Sequence, residues 1–309
     1  MKVIVTGGAG FIGSHLTEKL VKEGLKVIVF DNFSSGKKEF LNNVKCEIVK
    51  GDIINLKEVI DVCKGVDVVY HLAADPDVRK SVLNPLKNFE IDVVGTLNVL
   101  EACRMNDVEH IVFTSSSTVY GNAKKLPTPE NASIIPVSNY GAAKATSENY
   151  VMSFSKLYGI HGIILRYANI IGPRLTHGVI YDFYKKLKKN PKELEILGDG
   201  EQNKSYLHVD DCVEATISTV NAAKKPFDIF NIGSEEQVIV KEIANIIVSE
   251  LGLRDVSYKY TGGKTGWKGD VPSMLLSIDK MKRIGWRPKR STKEAVIDTI
   301  NWLKTCLHD

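Results

Sequence analysis

The chain has 309 residues, 43% of them hydrophobic, enough for a substantial core and for either two ordinary domains or one large domain with an appended lobe. Its formal charge of +4 comes from 41 basic residues interspersed among 37 acidic ones, so no nucleic-acid partner is expected. The five cysteines, Cys46, Cys63, Cys103, Cys212 and Cys306, are far apart and form no C-x-x-C pair, which argues against a disulfide framework or a zinc site and fits a reducing cytosol.

Lys2-Val3-Ile4-Val5-Thr6 reads as a buried strand. It follows Met1 directly and leaves no room for a signal peptide, and no apolar run reaches the length of a membrane span, so a cytoplasmic protein without a membrane partner is expected. Gly7-Gly8-Ala9-Gly10-Phe11-Ile12-Gly13 then forms a turn, and an amphipathic run from near Ser14 to Gly24 forms a helix. Gly8, Gly10 and Gly13 fit the G-x-G-x-x-G dinucleotide fingerprint, while Gly7, Gly10 and Gly13 fit a G-x-x-G-x-x-G variant. Either way, the unpaired N–H groups and positive dipole of the helix start suit a pyrophosphate. Asp31 closes the next strand, Val27 to Phe30, where a ribose-binding acid is expected. A carboxylate there prefers the free 2′-hydroxyl of NAD and repels a 2′-phosphate, although Lys37 and Lys38 stand close by.

Further strands are predicted at Cys46 to Val49, Val66 to His71, His110 to Thr114 and His161 to Arg166. Helices alternate with them near Leu56 to Cys63, Val93 to Arg104 and Asn139 to Tyr158. This rhythm implies an α/β fold, a doubly wound parallel sheet of Rossmann type covered on both faces. After residue 170 the rhythm weakens at Gly172-Pro173, Asn190-Pro191 and Gly198-Asp199-Gly200. The division is therefore a dinucleotide-binding domain over 1–170 and a smaller α/β lobe over 171–309. The lobe is interleaved, because a helix at Val209 to Val220 and a strand at Ile229 to Ile232, within about 206–232, can rejoin the first sheet.

Ligands of such sheets sit beyond the carboxyl ends of the strands, which singles out Asp31-Asn32, Asp52-Ile53, the small Ala73 and Ala74, Ser115-Ser116-Ser117 and Tyr167-Ala168-Asn169. Tyr140 and Lys144 lie four residues apart on the long helix and share one face. An ammonium near a phenol, helped by a cationic nicotinamide, favours phenolate and makes a base for a sugar hydroxyl. The same spacing recurs at Tyr120/Lys124, Tyr181/Lys185, Tyr184/Lys188 and Tyr260/Lys264; only Tyr140 opens the helix that follows a strand ending in Thr114-Ser115-Ser116-Ser117-Thr118.

Taken together, Thr6 to Gly13, Asp31-Asn32, Gly51-Asp52-Ile53, His71 to Ala74, Val94-Gly95-Thr96, Ser115 to Gly121, Tyr140 to Lys144, Leu165 to Asn169 and Gly198 to Gln202 resemble the nucleotide-sugar epimerase/dehydratase family of extended short-chain dehydrogenases/reductases, of which UDP-glucose 4-epimerase is typical. The resemblance implies Ser116, Tyr140 and Lys144 as the catalytic set, with Tyr140 the base and Lys144 tuning it and binding the nicotinamide ribose. It implies NAD held by Gly7, Gly10, Phe11, Ile12 and Gly13 at the pyrophosphate, Asp31 and Asn32 at the adenosine ribose, and Asp52 and Ile53 at the adenine. The substrate implied is a UDP-hexose, with Ser116, Thr118, Tyr140, Asn169 and Lys204 toward it, and the 171–309 lobe becomes the nucleotide-sugar-binding part. The reaction implied is oxidation at C4, rotation of the keto-sugar and return of the hydride; homodimerisation through two helices around Val93 to Arg104 and Asn139 to Tyr158 is also implied.

Relatives that dehydrate the sugar resemble one another in an Asp-Glu pair directly after the catalytic Thr, and decarboxylating ones in a Glu; here Ser117 and Thr118 stand there, which favours plain 4-epimerisation. A nucleotide-sugar dehydratase or reductase, an epimerase of N-acetylated or uronic sugars, and a non-catalytic dinucleotide sensor are the alternatives. Three departures from the family pattern stand out. Lys204 replaces an arginine, Trp267-Lys268-Gly269-Asp270 lacks the arginine of an Arg-x-Gly-Asp element, and Asp92 stands where an Asn is common. Met274 falls near the position that limits pocket width, or else fills core.

Overall fold

The computed structural model describes residues 1–306. In chain order the first half contains β1 (Lys2–Thr6), α1 (Phe11–Lys22), β2 (Lys26–Asp31), β3 (Glu47–Lys50), α2 (Leu56–Val62), β4 (Val68–His71), α3 (Val78–Leu83), α4 (Pro85–Phe89), α5 (Gly95–Met105), β5 (His110–Ser116), α6 (Asn139–Tyr158) and β6 (His161–Tyr167). The second half contains β7 (Asn169–Ile171), α7 (Gly178–Lys189), β8 (Glu193–Ile196), β9 (Asn203–Lys204), β10 (Tyr206–His208), α8 (Val209–Ala222), β11 (Phe227–Ile232), β12 (Val238–Ile239), α9 (Val240–Glu250), β13 (Ser257–Tyr260), β14 (Ser273–Met274), α10 (Asp279–Arg283) and α11 (Thr292–Cys306).

Seven parallel strands form the main sheet in the order β11-β6-β5-β4-β1-β2-β3. Strand alternation sends Val3 and Val5 to one face, where they pack with Leu16 and Leu20 of α1 and Cys212 and Val213 of α8. Ile4, between them, points the other way with Ile111 and Phe113, onto Val59 of α2, Val99 and Leu100 of α5 and Val151 of α6. The sheet is thus buried on both faces, as near-continuous apolar strands require. The strand order reverses between β1 and β4, and the crevice at that switch point is where ligands of open α/β sheets bind.

β11 pairs with β6 from Phe227↔Gly162 to Ile232↔Tyr167, so the chain returns to the first sheet after its excursion. The rest of the second half has its own core, with Phe183 and Leu187 of α7, Ile243 and Ile247 of α9, and Val296, Ile300 and Leu303 of α11 around Leu194 and Ile196 of β8. Three small sheets, β7 with β10, β9 between β12 and β14, and β8 with β13, complete this lobe.

The predicted helix at Val93 starts differently. A π-helical turn occupies Glu90–Val94, and regular helix begins only at Gly95. At the other end of the site β5 runs through Ser115 and Ser116, two residues beyond the predicted strand. No helix among the described residues is long and apolar enough to cross a membrane.

One ion pair locks α6 to the sheet. Arg166 of β6 donates from Nε to Glu148 Oε1 at 2.9 Å and from Nη2 to Glu148 Oε2 at 2.6 Å, with side chains 2% and 0% exposed. Ser115 Oγ donates to the same carboxylate at 2.5 Å, and Arg166 Nη1 to the Tyr120 hydroxyl and the Glu130 carbonyl, each at 2.8 Å. Removing one partner strands the other charge in the interior. Glu148→Ala is therefore expected to destabilise the fold by about 3–5 kcal/mol, read as a lower urea midpoint at unchanged slope.

Candidate active site

The glycine turn has the shape of a phosphate cradle. Gly7 adopts φ +68°, and a Cβ there would lie 2.8 Å from the Ala73 amide nitrogen, so β1 and the loop after β4 meet backbone to backbone. A Cβ on Gly13 would lie 2.1 Å from the Gly7 carbonyl oxygen. Gly10 caps α1, its N–H donating to the Gly7 carbonyl at 3.0 Å, while no side chain caps the helix start at Phe11 and Ile12 and no acid lies in its first turn. Such a helix start offers free N–H donors and a positive dipole end to an anion. Of the two spacings only the one that counts Gly7 includes the positive φ, while Gly13 belongs to both.

Asp31 accepts the Ala9 N–H at 2.9 Å and the Phe33 N–H at 2.8 Å, and burial raises its pKa above the usual carboxylate value against those two bonds. Its carboxylate is thereby fixed at the lip of the turn, in the position of a ribose acceptor. Asn32 donates to Asp52 Oδ2 at 2.9 Å, so the two polar residues form one unit. Ile53 is buried against Gly95, where a Cβ would stand 2.5 Å from Ile53 Cδ1, and its carbonyl accepts from Asn98. Ala73 donates its N–H to Thr6 Oγ1 at 3.2 Å, and Ala74 follows on the half-buried side of the same loop.

That bond opens a chain of hydroxyls and one imidazole. Thr96 Oγ1 donates to the Asp92 carbonyl at 2.6 Å, so it can only accept from His71 Nε2, 3.1 Å away; His71 Nδ1 then accepts from Thr6 Oγ1 at 2.8 Å, and Thr6 accepts from Ala73. Donor counting assigns the Nε2–H tautomer to His71, and burial, with Lys144 nearby, lowers its pKa to about 3, so it stays neutral. The Asp92 carbonyl also accepts from Ser147 Oγ of α6 at 2.8 Å. A continuous polar line thus joins the glycine turn to the catalytic helix through the π-helical turn.

Tyr140, Lys144 and Glu148 fall at four-residue steps along α6 and face β5. Lys144 is 2% exposed; its Nζ donates to the Thr114 carbonyl at 3.0 Å and stands 5.8 Å from the centre of the Tyr140 ring. Burial lowers its pKa, opposed by the charges of Asp92 and Glu148. The sequence reading has Lys144, helped by a cationic nicotinamide, favour the Tyr140 phenolate; the chain's own residues act in the other direction. Burial, reinforced by the Asp92 and Asp75 carboxylates, raises the phenol's pKa, and only a hydrogen bond with Ser116 lowers it. The ammonium is held by the Thr114 carbonyl and acts on the phenol too weakly to overcome desolvation.

Ser116 Oγ accepts from the Thr118 N–H at 3.2 Å and from Thr118 Oγ1 at 3.0 Å. Both lone pairs are then engaged, and the Ser116 proton is left to donate into the cleft. Thr118 is therefore a partner of Ser116. Asn169 donates its amide to the Ser205 carbonyl at 3.0 Å, and Lys204, the next residue back, forms a 2.5 Å ion pair with the buried Asp270. The structure brings Ser116, Thr118, Tyr140 and Lys144 together and puts Asn169 on β7 and Lys204 on β9, in two separate small sheets of the second lobe. It also enlists Asp92, His71, Thr6 and Ser147, which spacing did not flag.

The sequence profile of the NAD dependent epimerase/dehydratase family matches residues 3–233. The chain belongs to this family. A protein of Methanocaldococcus jannaschii provisionally named UDP-glucose 4-epimerase is 40% identical over 309 residues, covering 98% of each chain. A crystal structure of a UDP-galactose 4-epimerase is 44% identical, covers 100% of both chains and superposes with a TM-score of 0.91. A dTDP-glucose 4,6-dehydratase from Streptomyces venezuelae, solved with NAD and TYD bound, is 27% identical over 99% of this chain and 98% of its own, with a TM-score of 0.92. Epimerase and dehydratase thus share one backbone, and NAD is the cofactor of this family.

The cradle of Gly7 and Gly13 fits that dinucleotide. Gly13→Val, whose branched side chain would collide with the Gly7 carbonyl, is expected to abolish NAD retention, measured as nucleotide released on acid denaturation of the purified protein. Retention at the wild-type level would remove the turn from the cofactor site.

Proposed function

We propose that this family member is a UDP-hexose 4-epimerase acting on UDP-glucose and UDP-galactose with retained NAD. The observation that carries the reading is the hydroxyl set at the end of β5. Ser116 offers a proton beside Tyr140, while Ser117 and Thr118 fill the positions where elimination or decarboxylation needs a general acid or base. A hydroxyl serves poorly as either near neutral pH, so the equipment supports proton transfer at one sugar oxygen only. The names of the relatives support the nucleotide-sugar class and the hexose pair.

In this reading Tyr140 takes the proton from the C4 hydroxyl, and Ser116 donates to the same oxygen, steadying it as negative charge develops. NAD, which Gly7, Gly10, Gly13 and Asp31 would hold, would supply the hydride acceptor for C4 and, after the keto-sugar turns, the hydride donor to its other face. Lys144 presents its ammonium between the Thr114 carbonyl and the phenol, and its positive charge favours phenolate once the desolvated Tyr140 has to ionise. Met274 is buried among Val119, Tyr120, Ala168 and Leu276, as a core filler would be.

Purified protein with no added cofactor is expected to interconvert UDP-galactose and UDP-glucose, followed through the anomeric proton by NMR. Tyr140→Phe is expected to lose on the order of a thousandfold or more in kcat with its NAD still bound. A 4-keto-6-deoxy product, or no conversion of any UDP-hexose, would overturn the assignment.

A second copy of the chain is proposed to cover the apolar surface formed by Leu83, Leu86 and Phe89 of α3 and α4 with Tyr150, Leu157 and Tyr158 of α6, where Leu86 is 84% exposed and Leu157 69%. Light scattering should give a dimer mass, and Leu86→Glu combined with Leu157→Glu a monomer. A monomeric wild-type protein at micromolar concentration would remove the proposal.

A further inference from the structure

The two halves of the molecule meet across the cleft on one indole. Trp267 lies in a loop of the second lobe that packs on the start of α6; a Cβ on Gly269 would stand 3.2 Å from the Val137 carbonyl oxygen and 3.4 Å from Ser138 Cβ. Lys204 Nζ lies 5.0 Å from the centre of the indole, and the guanidinium carbon of Arg79, reaching over from α3, lies 5.7 Å from it. The Arg79 backbone is well placed for the site, because Ser81, two residues on, receives the Tyr140 N–H on its hydroxyl at 3.2 Å and the Asn139 amide on its carbonyl at 2.8 Å.

The two cations are held differently. Lys204 is matched by Asp270 at 2.5 Å, with side chains 14% and 2% exposed, and the other Asp270 oxygen accepts the Gly266 N–H. That pair brings no net charge to the cleft. Arg79 reaches Asp182 of α7 at 3.4 Å, with side chains 45% and 37% exposed. A long, half-exposed pair of this kind is worth about 0–1 kcal/mol, so a stronger anion can displace Asp182. The indole Nε1–H of Trp267 is buried with no hydrogen-bond partner among the described residues, so the loop beneath Arg79 has an unmet donor and gains by re-seating around an acceptor.

We propose that Arg79 is a substrate-binding residue whose guanidinium, stacked on Trp267, takes the diphosphate of the nucleotide sugar. The inference rests on the nucleotide-sugar reading given above. Its logic is charge balance: a diphosphate carries at least two negative charges, Lys204 is already neutralised, and neither Trp267 nor its neighbours supply the arginine of the Arg-x-Gly-Asp pattern. A guanidinium fork matches phosphate oxygens two at a time, and the flat indole orients it. Because Arg79 comes from the sheet side and Trp267 and Lys204 from the second lobe, the ligand would be gripped from both walls of the cleft.

The test is calorimetric titration of the NAD-loaded, full-length protein with UDP and with uridine, for wild type, Arg79→Gln and Arg79→Lys. Arg79→Gln is expected to weaken UDP at least tenfold, Arg79→Lys by less, and uridine in neither, with unchanged NAD content and thermal midpoint. UDP affinity within twofold of wild type in Arg79→Gln overturns the inference and leaves the epimerase reading intact, as does an equal loss for uridine, which carries no phosphate. A loss confined to UDP-glucuronate, with UDP unaffected, assigns the guanidinium to a sugar carboxylate and likewise overturns it. A wild-type protein that binds neither UDP nor any UDP-hexose fails at the earlier step and overturns the nucleotide-sugar reading itself.

Discussion

The buried fork between Arg166 and Glu148 is the constraint on which the site depends. It joins β5 and α6, which carry the candidate groups Ser116, Tyr140 and Lys144, to β6: Arg166 belongs to β6, Glu148 to α6, and Ser115, which donates to the same carboxylate, to β5. With Ser115 turned toward Glu148, strand alternation turns Ser116 the other way, into the cleft. With Glu148 fixed on β6, the helical repeat brings Lys144 to the Thr114 carbonyl and Tyr140 to Ser116. The network continues through the Tyr120 hydroxyl to Asn231 of β11, whose amide reaches the carbonyls of Thr128 and Ser277. The returning strand is thereby tied into the same cluster. A hydrophobic replacement of equal volume could hold the layers together, but it could not fix the rotation of α6 about its axis. Directional bonds to three separate elements do.

The second organising feature is the polar line from Ala73 through Thr6, His71 and Thr96 to the Asp92 carbonyl and Ser147. Thr6 and Thr96 each both donate and accept, and Ser147 donates at the end, so the direction of every proton is determined once His71 is neutral. The π-helical turn at Glu90–Val94 is what makes this possible, for it leaves the Asp92 carbonyl facing two side-chain hydroxyls. The same turn buries the Asp92 carboxylate, which accepts from the Asp75 N–H and the Asn88 amide and whose charge opposes the lowering of the Lys144 pKa by burial.

Much of this was legible in the sequence because it is local. The strand, glycine turn and helix at the start, the alternation through residue 166 and the helix from Asn139 to Tyr158 each follow from periodicity or from residues a few positions apart. What escaped is side-chain pairing across the fold. Glu148 with Arg166, Asp92 with Ser147 and Lys204 with Asp270 are separated by 18, 55 and 66 positions, and no spacing rule connects such partners. The same blindness hides what surrounds Tyr140. Four residues between Tyr140 and Lys144 say that the two share a face, but not that the ammonium is held by the Thr114 carbonyl or that Asp92 and Asp75 act on the phenol.

Those surroundings bear on how the site works. An unshifted phenol is about one part in a thousand phenolate at neutral pH, and in this chain burial and two carboxylates make the fraction smaller still. The hydrogen bond with Ser116 opposes those effects without reversing them. Tyr140 can therefore serve as a base only when positive charge from outside the chain's own residues stands beside it, and that charge must be present before the sugar oxygen gives up its proton. On the proposed reading, an oxidised dinucleotide bound at the glycine turn would bring such a charge and favour ionisation of the phenol.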